Sequence, residues 1–236
     1  MRRGVPGRRT AERPNVTVYT EALRRAATGT QTALDLVDPA GGASMRRLCP
    51  TDWCGPLRDG DGALVDRCTG PTLDVGCGPG RLAGALVAAG VPAMGVDVNA
   101  EAVRQARRRG VPTVHRDVFR PLPGTGRWRH VLLADGNIGI GGDPCRLLAR
   151  CRDLLHPAGD VLVELDPPGT GSWRARVALR HGDRTGAPFL WATVAADDLA
   201  AIAERAGLAV LETWRDGTRW FARCGSGRKT ARDQLG

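Results

Sequence analysis

Lysine is almost missing from this chain: of 34 basic residues, Lys229 alone is not an arginine. Tyrosine occurs once and phenylalanine three times in 236 residues. No apolar run approaches the ~20 residues that a spanning helix requires, which argues against a helical membrane protein. The opening Met1-Arg2-Arg3-Gly4-Val5-Pro6-Gly7 is basic but leads into no apolar stretch, so a secretory signal is not expected. There is no CxxC pair among the seven cysteines. Cys49 and Cys54 resemble half of a zinc site, but no second pair with ligand-like spacing follows, and no metal is expected. An odd number of scattered thiols does not make a disulfide scaffold and suits a reducing compartment. The expectation is a soluble, cytoplasmic protein.

What is present is enough for one sizeable α/β domain or two small ones. Hydrophobic residues make up 42%, which excludes a wholly disordered chain. The net charge of +9 suggests a nucleic-acid partner at first sight. Its distribution weakens that reading. Residues 1–14 hold five Arg and one Glu, and residues 223–236 hold three Arg, one Lys and one Asp, so most of the excess sits at the two ends. Residues 1–14 and 225–236 are expected as basic tails. The internal run Arg107-Arg108-Arg109 suits the C-terminal end of a solvated helix.

Between the tails, residues 15–70 read as an N-terminal helical cap, with helices over Thr20–Ala27 and 57–67. From Pro71 strands and helices alternate. Leu73–Val75, Ala93–Val98, Thr113–Asp117, Arg129–Ala134 and Val161–Leu165 read as strands. Helices are expected over Arg81–Ala89, Ala100–Arg109 behind the cap Asn99, and after Asp143-Pro144, where Leu147, Leu148, Cys151, Leu154 and Leu155 share a face. His156-Pro157-Ala158-Gly159 is expected as the turn ending that helix, and Asp197 as the cap of a later one. Residues 170–194 read as an insertion with a hairpin about Gly182-Asp183. Leu208–Thr213 and Thr218–Cys224 are too close for a helical crossover and should pair antiparallel at one edge. The fold class expected is α/β: a doubly wound, mostly parallel sheet with helices on both faces.

Three successive strand ends then offer a ligand site. The first is the turn Gly76-Cys77-Gly78-Pro79-Gly80, the second Asp97, the third Asp117. In open α/β sheets ligands bind at the carboxyl ends of the strands, and a carboxylate at the second end can take both hydroxyls of a ribose.

Leu73-Asp74-Val75-Gly76-Cys77-Gly78-Pro79-Gly80-Arg81 resembles motif I of the class I S-adenosylmethionine-dependent methyltransferases, and the resemblance covers residues 71–224. It implies a seven-stranded Rossmann-like sheet, S-adenosylmethionine as cofactor, and a set of cofactor-binding positions. These are Asp74, Gly76, Cys77, Gly78 and Gly80 in the turn, Asp97 with Val98 at the ribose, and Asp117 with Val118 at the adenine. Asp135, Gly136 and Asn137 would lie beside the methionine moiety and the acceptor. His156–Gly159 is similar to the family's L-x-P-G-G turn, with Ala158 departing from it. The fold-mate fingerprint GxGxxG of nicotinamide oxidoreductases fits less well, because Arg81 occupies the place of its third glycine. A module that binds the cofactor without catalysis is the other alternative.

Asp166-Pro167-Pro168-Gly169 resembles the DPPY box of amino-methyltransferases but follows the fifth strand and ends in glycine, so it reads as a sharp strand exit. No catalytic base is assigned. His181, in the insertion, is the one histidine free to reach the site, and Glu164 and Asp166 are comparable candidates. The acceptor pocket should come from the cap, the glycine-rich Asp135–Gly142 loop and the insertion, with Trp53, Trp173, Phe189 and Trp191 as candidate walls. These point to a small-molecule acceptor rather than RNA or protein, with no membrane and no obligate protein partner.

Overall fold

In the computed structural model of the chain, residues 14–40 and 42–227 are described. The N-terminal part holds helix α1 (Pro14–Ala26), strands β1 (Leu34–Val37) and β2 (Ser44–Leu48), and the short helices α2 (Pro50–Cys54) and α3 (Asp61–Val65). The alternating part follows: β3 (Thr72–Val75), α4 (Arg81–Ala88), β4 (Ala93–Asp97), α5 (Ala100–Arg108), β5 (Thr113–His115) and β6 (Trp128–Leu133). Two tight helical turns over Asn137–Gly142, kinked at Ile140, lead into α6 (Pro144–Leu154) and β7 (Leu155–Leu165). The insertion supplies β8 (Trp173–His181), β9 (Arg184–Thr185) and β10 (Phe189–Thr193). Helix α7 (Leu199–Arg205) and the hairpin β11 (Ala209–Asp216) and β12 (Arg219–Gly225) close the described chain.

Seven strands form one sheet in the order β11-β12-β7-β6-β3-β4-β5. The pairs β7-β6, β6-β3, β3-β4 and β4-β5 are parallel, while β12 runs antiparallel to both β7 and β11. The order turns back at β3, and that is where an open α/β sheet leaves a crevice. Both faces are covered. Leu73, Val75, Val131, Leu133, Val161 and Val163 pack with Leu147, Leu148 and Leu154 of α6 on one face. Leu132, Leu162 and Phe221 pack with Leu82 and Leu86 of α4 on the other. Each fully buried side chain of this size contributes about 1.5–3 kcal/mol.

The N-terminal region is not purely helical. β1 pairs antiparallel with β2 and also with β8, with Asp35 opposite Arg180, so the early hairpin and the insertion share a second sheet of order β10-β8-β1-β2, with β9 paired to β8. Helix α1 lies against this sheet through Val18 and Ala22, which cluster with Leu34. It starts at Pro14, earlier than Thr20, in keeping with proline's fit to a first helical turn. Helix α3 is shorter than the 57–67 expected, because Gly60, at φ 84°, sets its start.

Two further expectations are corrected. β7 begins at Leu155, so His156–Gly159 is the irregular opening of a strand and not a separate turn. Trp128 pairs with Leu155 and the ladder slips before His130 meets Asp160. A Cβ on Gly159 would stand 2.8 Å from the Trp128 carbonyl oxygen, so glycine permits this backbone contact. Asp197 does not cap α7. Asp198 stands at the cap position without a side-chain cap bond, and both acids hold the preceding loop: Asp197 accepts the Gly169 N–H at 3.0 Å, and Asp198 accepts the Ser172 hydroxyl at 2.6 Å. The caps Asn99 and Asp143 are as expected, accepting N–H groups of the first helical turns. The expected tails fall largely on residues outside those described, although Gly225 closes β12.

Candidate functional site

A cavity of about 630 Å³ opens at the carboxyl ends of β3, β4 and β5. One wall is the seven-stranded sheet: Asp74 to Gly78, Asp97 to Asn99, and Arg116 to Phe119. The facing wall is the second sheet, with Leu34 and Leu36 of β1, Arg46 and Leu48 of β2, Leu179 of β8, and Phe189, Leu190 and Trp191 of β10. Tyr19 of α1 and Trp53 of α2 complete it, their rings edge to face at 5.8 Å.

The first wall is built by backbone demands. The Gly76 N–H reaches the Val96 carbonyl at 2.8 Å, which turns the chain out of β3. Gly76 has φ 71°, and a Cβ there would lie 2.8 Å from the Asn137 amide nitrogen. Asp97 ends β4 with its carboxylate tied down on both oxygens: Oδ1 accepts the Asn99 N–H at 2.7 Å and Oδ2 the Gly78 N–H at 2.9 Å. Each oxygen retains acceptor capacity for a further donor. Burial pushes the Asp97 carboxyl up, against the pull of those N–H groups. Burial, reinforced by Asp135, raises Asp74 to about 7.

Of the twelve residues the sequence pointed to, ten line this cavity: Asp74, Gly76, Cys77, Gly78, Asp97, Val98, Asp117, Val118, Asp135 and Asn137. Gly80 and Gly136 do not. Gly80 faces α5, where a Cβ would be 2.9 Å from that of Ala106, so it serves helix packing. Asn137 lies at the rim of the turn with its amide spent on the Val75 and Gly76 carbonyls, at 2.9 and 3.0 Å. Of the expected aromatic walls, Trp53, Phe189 and Trp191 are present and Trp173 is not.

Asp135 is the one non-glycine residue with positive φ (54°) among those described. Arg58 and Arg81 hold its two oxygens, each at 2.5 Å. Arg81 also pairs with the fully buried Asp61, and Arg219 bonds Asp61 at 2.8 Å and Glu164 at 2.8 and 2.9 Å. Burial raises the Glu164 carboxyl, but the Arg219 guanidinium outweighs it and the net shift is downward. Glu164 and Asp166, considered above as bases, are thus ion-paired, Asp166 with Arg46. His181 is outside the cavity lining and donates through Nδ1 to the Ala33 carbonyl at 2.9 Å. Tyr19 and Arg81 escaped sequence reading as site residues. Only the fold brings α1 to the glycine turn, and Arg81 reads locally as an ordinary first-turn residue.

Residues 72–159 match the family model described as a methyltransferase domain. The matched segment runs from β3 into the opening of β7 and contains the glycine turn, Asp97, Asp117 and Asp135. A methyltransferase from Bacteroides fragilis, solved with S-adenosylhomocysteine, superposes with TM-score 0.73 at 18% identity, over 91% of this chain and 97% of that one. The CcbJ methyltransferase of Streptomyces caelestis gives 0.58 at 19%, over 75% and 92%. The 1,6-didemethyltoxoflavin-N1-methyltransferase of Burkholderia thailandensis gives 0.51 at 21%, over 70% and 75%. At these identities the likeness speaks for the fold. No curated protein matches the chain in sequence. No helix of the described residues is long and apolar enough to cross a membrane.

Proposed function

We propose that this chain is an S-adenosylmethionine-dependent methyltransferase that transfers the cofactor's methyl group to a small organic acceptor held between its two sheets. The observation that carries this reading is the facing wall. β1, β2, β8 and β10 bring Leu34, Leu36, Leu48, Phe189 and Trp191 opposite the glycine turn and leave a cavity of about 630 Å³. That volume lies within the usual range for small-molecule pockets, whose linings are mostly apolar. Residues 71–224 then form the catalytic unit, 15–70 together with 170–194 the acceptor wall, in a cytoplasmic enzyme. Two neighbours of known acceptor class, the toxoflavin-precursor enzyme above and the glycopeptide N-methyltransferase MtfA, lend the reading support.

The residues fit the cofactor. Asp97 has acceptor capacity left for two ribose hydroxyls, and Val98, 59% exposed, with Val118 and Phe119 offers apolar surface for adenine. Asp117 would meet the adenine amino group. Arg81 lines the cavity and its buried Nε has no hydrogen-bond partner, which suits the cofactor's carboxylate, while Asp74, Gly76, Cys77 and Gly78 would enclose the methionine moiety. When bound, S-adenosylmethionine supplies a methyl group already activated on a sulfonium, with a neutral leaving group. The protein's share is alignment and exclusion of water. Tyr19 and Trp53 close the space above the turn, and the Asp135–Gly142 loop forms its floor.

The test is transfer of labelled methyl from S-adenosylmethionine into a metabolite extract, compared with transfer into RNA and protein fractions. Label in low-mass products is expected. Label confined to a macromolecular fraction would contradict the small-acceptor reading.

A further inference from the structure

The run Arg107-Arg108-Arg109 takes no part in the lining of the methyl-transfer cavity, and the fold divides it between two tasks. Arg109 donates to the carbonyl oxygens of Cys54 and Gly55, which ties α5 to the end of α2. Arg107 and Arg108, with Arg104 one turn earlier, line a second cleft of about 440 Å³ between α5 and β5, completed by Ala100, Val103 and His115. Among the described residues no carboxylate lines it. The three arginines stand at i, i+3 and i+4, neighbours on one helix face. Long helical side chains lean toward the helix N-terminus, which is how they share a cleft with Ala100, the first residue of α5, away from the carbonyls at its negative end.

Two of the arginines are held in place with a nitrogen to spare. Arg104 spends Nε, at 3.0 Å, and Nη2 on Glu101. Arg107 spends Nε and Nη2 on the Thr113 carbonyl oxygen, at 3.2 and 2.8 Å. Each keeps Nη1 uncommitted among the described residues. Arg108 has no side-chain hydrogen bond or ion pair among them. His115 donates from Nε2 to the Val98 carbonyl at 2.9 Å, which fixes its ring. The acids nearby are engaged elsewhere. Glu101 is buried and paired with Arg104. Asp97 of β4 is buried and lines the other cavity, its oxygens accepting the Gly78 and Asn99 N–H groups. Asp117, beyond β5, lines that cavity too and accepts the Phe119 N–H.

Three guanidinium groups less the Glu101 carboxylate leave two positive charges without a counter-charge at the cleft. Like charges at this spacing repel one another on a helix. A guanidinium fork matches the oxygens of a phosphate, and several forks converging on one group favour it further. We propose that this cleft is a binding site for a small phosphate monoester, a dianion that matches the two uncompensated charges, with the esterified group resting on Ala100 and Val103. The site is separate from the methyl-transfer cavity, and the proposal does not depend on what the acceptor is. A nucleic-acid backbone offers one charge per phosphate along a track, whereas these arginines are gathered in one cleft.

The experiment uses the full chain saturated with S-adenosylhomocysteine, at pH 8 and constant ionic strength, where a phosphate monoester is a dianion. The probes are phenyl phosphate, benzoate as a monoanion of similar size, and a single-stranded RNA oligonucleotide. The ring protons of His115, one of four histidines, report by NMR whether a probe reaches the cleft. Phenyl phosphate is expected to shift the His115 signals to saturation and to bind at least about fivefold more tightly than benzoate. Arg108→Gln removes a guanidinium without a partner to strand; it should lower phenyl phosphate affinity about fivefold or more, and Arg108→Lys should restore most of it. S-adenosylhomocysteine affinity should be the same in both variants, because Arg108 is not among the residues lining that cavity. His115 signals that do not move with phenyl phosphate, equal affinity for benzoate, or unchanged affinity in Arg108→Gln overturns the proposal. RNA that moves the same signals at a lower phosphate concentration than phenyl phosphate overturns it in favour of a nucleic-acid surface.

Discussion

The side-chain amide of Asn137 donates to the carbonyl oxygen of Gly76 at 3.0 Å, and a Cβ on Gly76 would stand 2.8 Å from that same nitrogen. The loop after β6 thereby fixes the turn after β3. Gly76→Ala adds an atom where none fits and places an L side chain at φ 71°. Strain of this kind costs about 1–3 kcal/mol. The expected result is loss of S-adenosylhomocysteine affinity by tenfold or more in calorimetric titration, with the circular dichroism spectrum retained. Asn137→Ala should weaken binding less, because it removes two hydrogen bonds without a clash.

Gly139 separates the two halves of the site. A Cβ there would come within 2.1 Å of the Ala192 carbonyl oxygen and 2.8 Å of the Trp191 ring, so Gly139→Ala must push β10 away. Cofactor affinity should stay within about twofold of wild type, because the glycine turn is untouched. Turnover on the natural acceptor should fall at least tenfold, mostly through KM, since the displaced strand carries Phe189 and Trp191. Equal loss of cofactor and acceptor affinity would contradict this division of labour.

Arg219 is not itself among the residues lining the cavity, yet it neutralises the buried Asp61 and the half-buried Glu164. Removing one partner of a buried ion pair costs about 3–5 kcal/mol. Arg219→Met is expected to lower the urea midpoint accordingly, and Arg219→Lys to restore part of it. A midpoint within error of wild type would place the weight of the cluster elsewhere.

Asp74, raised by burial to about 7, makes stability depend on pH. An acid with a raised pKa keeps its proton in the folded chain over a range where the unfolded chain has lost it. Its contribution is therefore complete below about pH 3.9 and is lost as pH rises to about 7, at up to about 1.4 kcal/mol per pH unit. Asp74→Asn should flatten this slope in urea titrations between pH 5 and pH 7. Asp97, also raised, leaves a residual slope in the variant.

The alternating sheet was legible because each of its signals is local. Leu73–Val75 before three closely spaced glycines, Asn99 before α5, and Asp143-Pro144 before α6 each declare themselves within a few residues. The second sheet was not legible as a sheet. The strand pattern at Trp173–Arg180 and the hairpin at Gly182-Asp183 could be read, but Asp35 pairs with Arg180, and nothing local to either residue announces a partner so distant in the chain. Leu34 and Leu36 needed a core, and only the fold reveals that it is the cavity's far wall. The same holds for the Arg58 and Arg219 contacts that converge on Asp135. Asp197 and Asp198 misled because adjacent acids before an apolar run look like a cap whichever neighbour they bind.

The central claim is that the cavity at the ends of β3, β4 and β5 holds S-adenosylmethionine through Asp97. The most direct measurement is calorimetric titration of wild type and Asp97→Ala with S-adenosylmethionine and S-adenosylhomocysteine. Loss of a charged acceptor for the ribose hydroxyls costs about 1.5–3 kcal/mol, roughly 10- to 150-fold in Kd. Both ligands are expected to bind the wild type and to weaken in parallel in the variant. Unchanged affinity in Asp97→Ala, or tight binding of a nicotinamide dinucleotide by the wild type, would contradict the account.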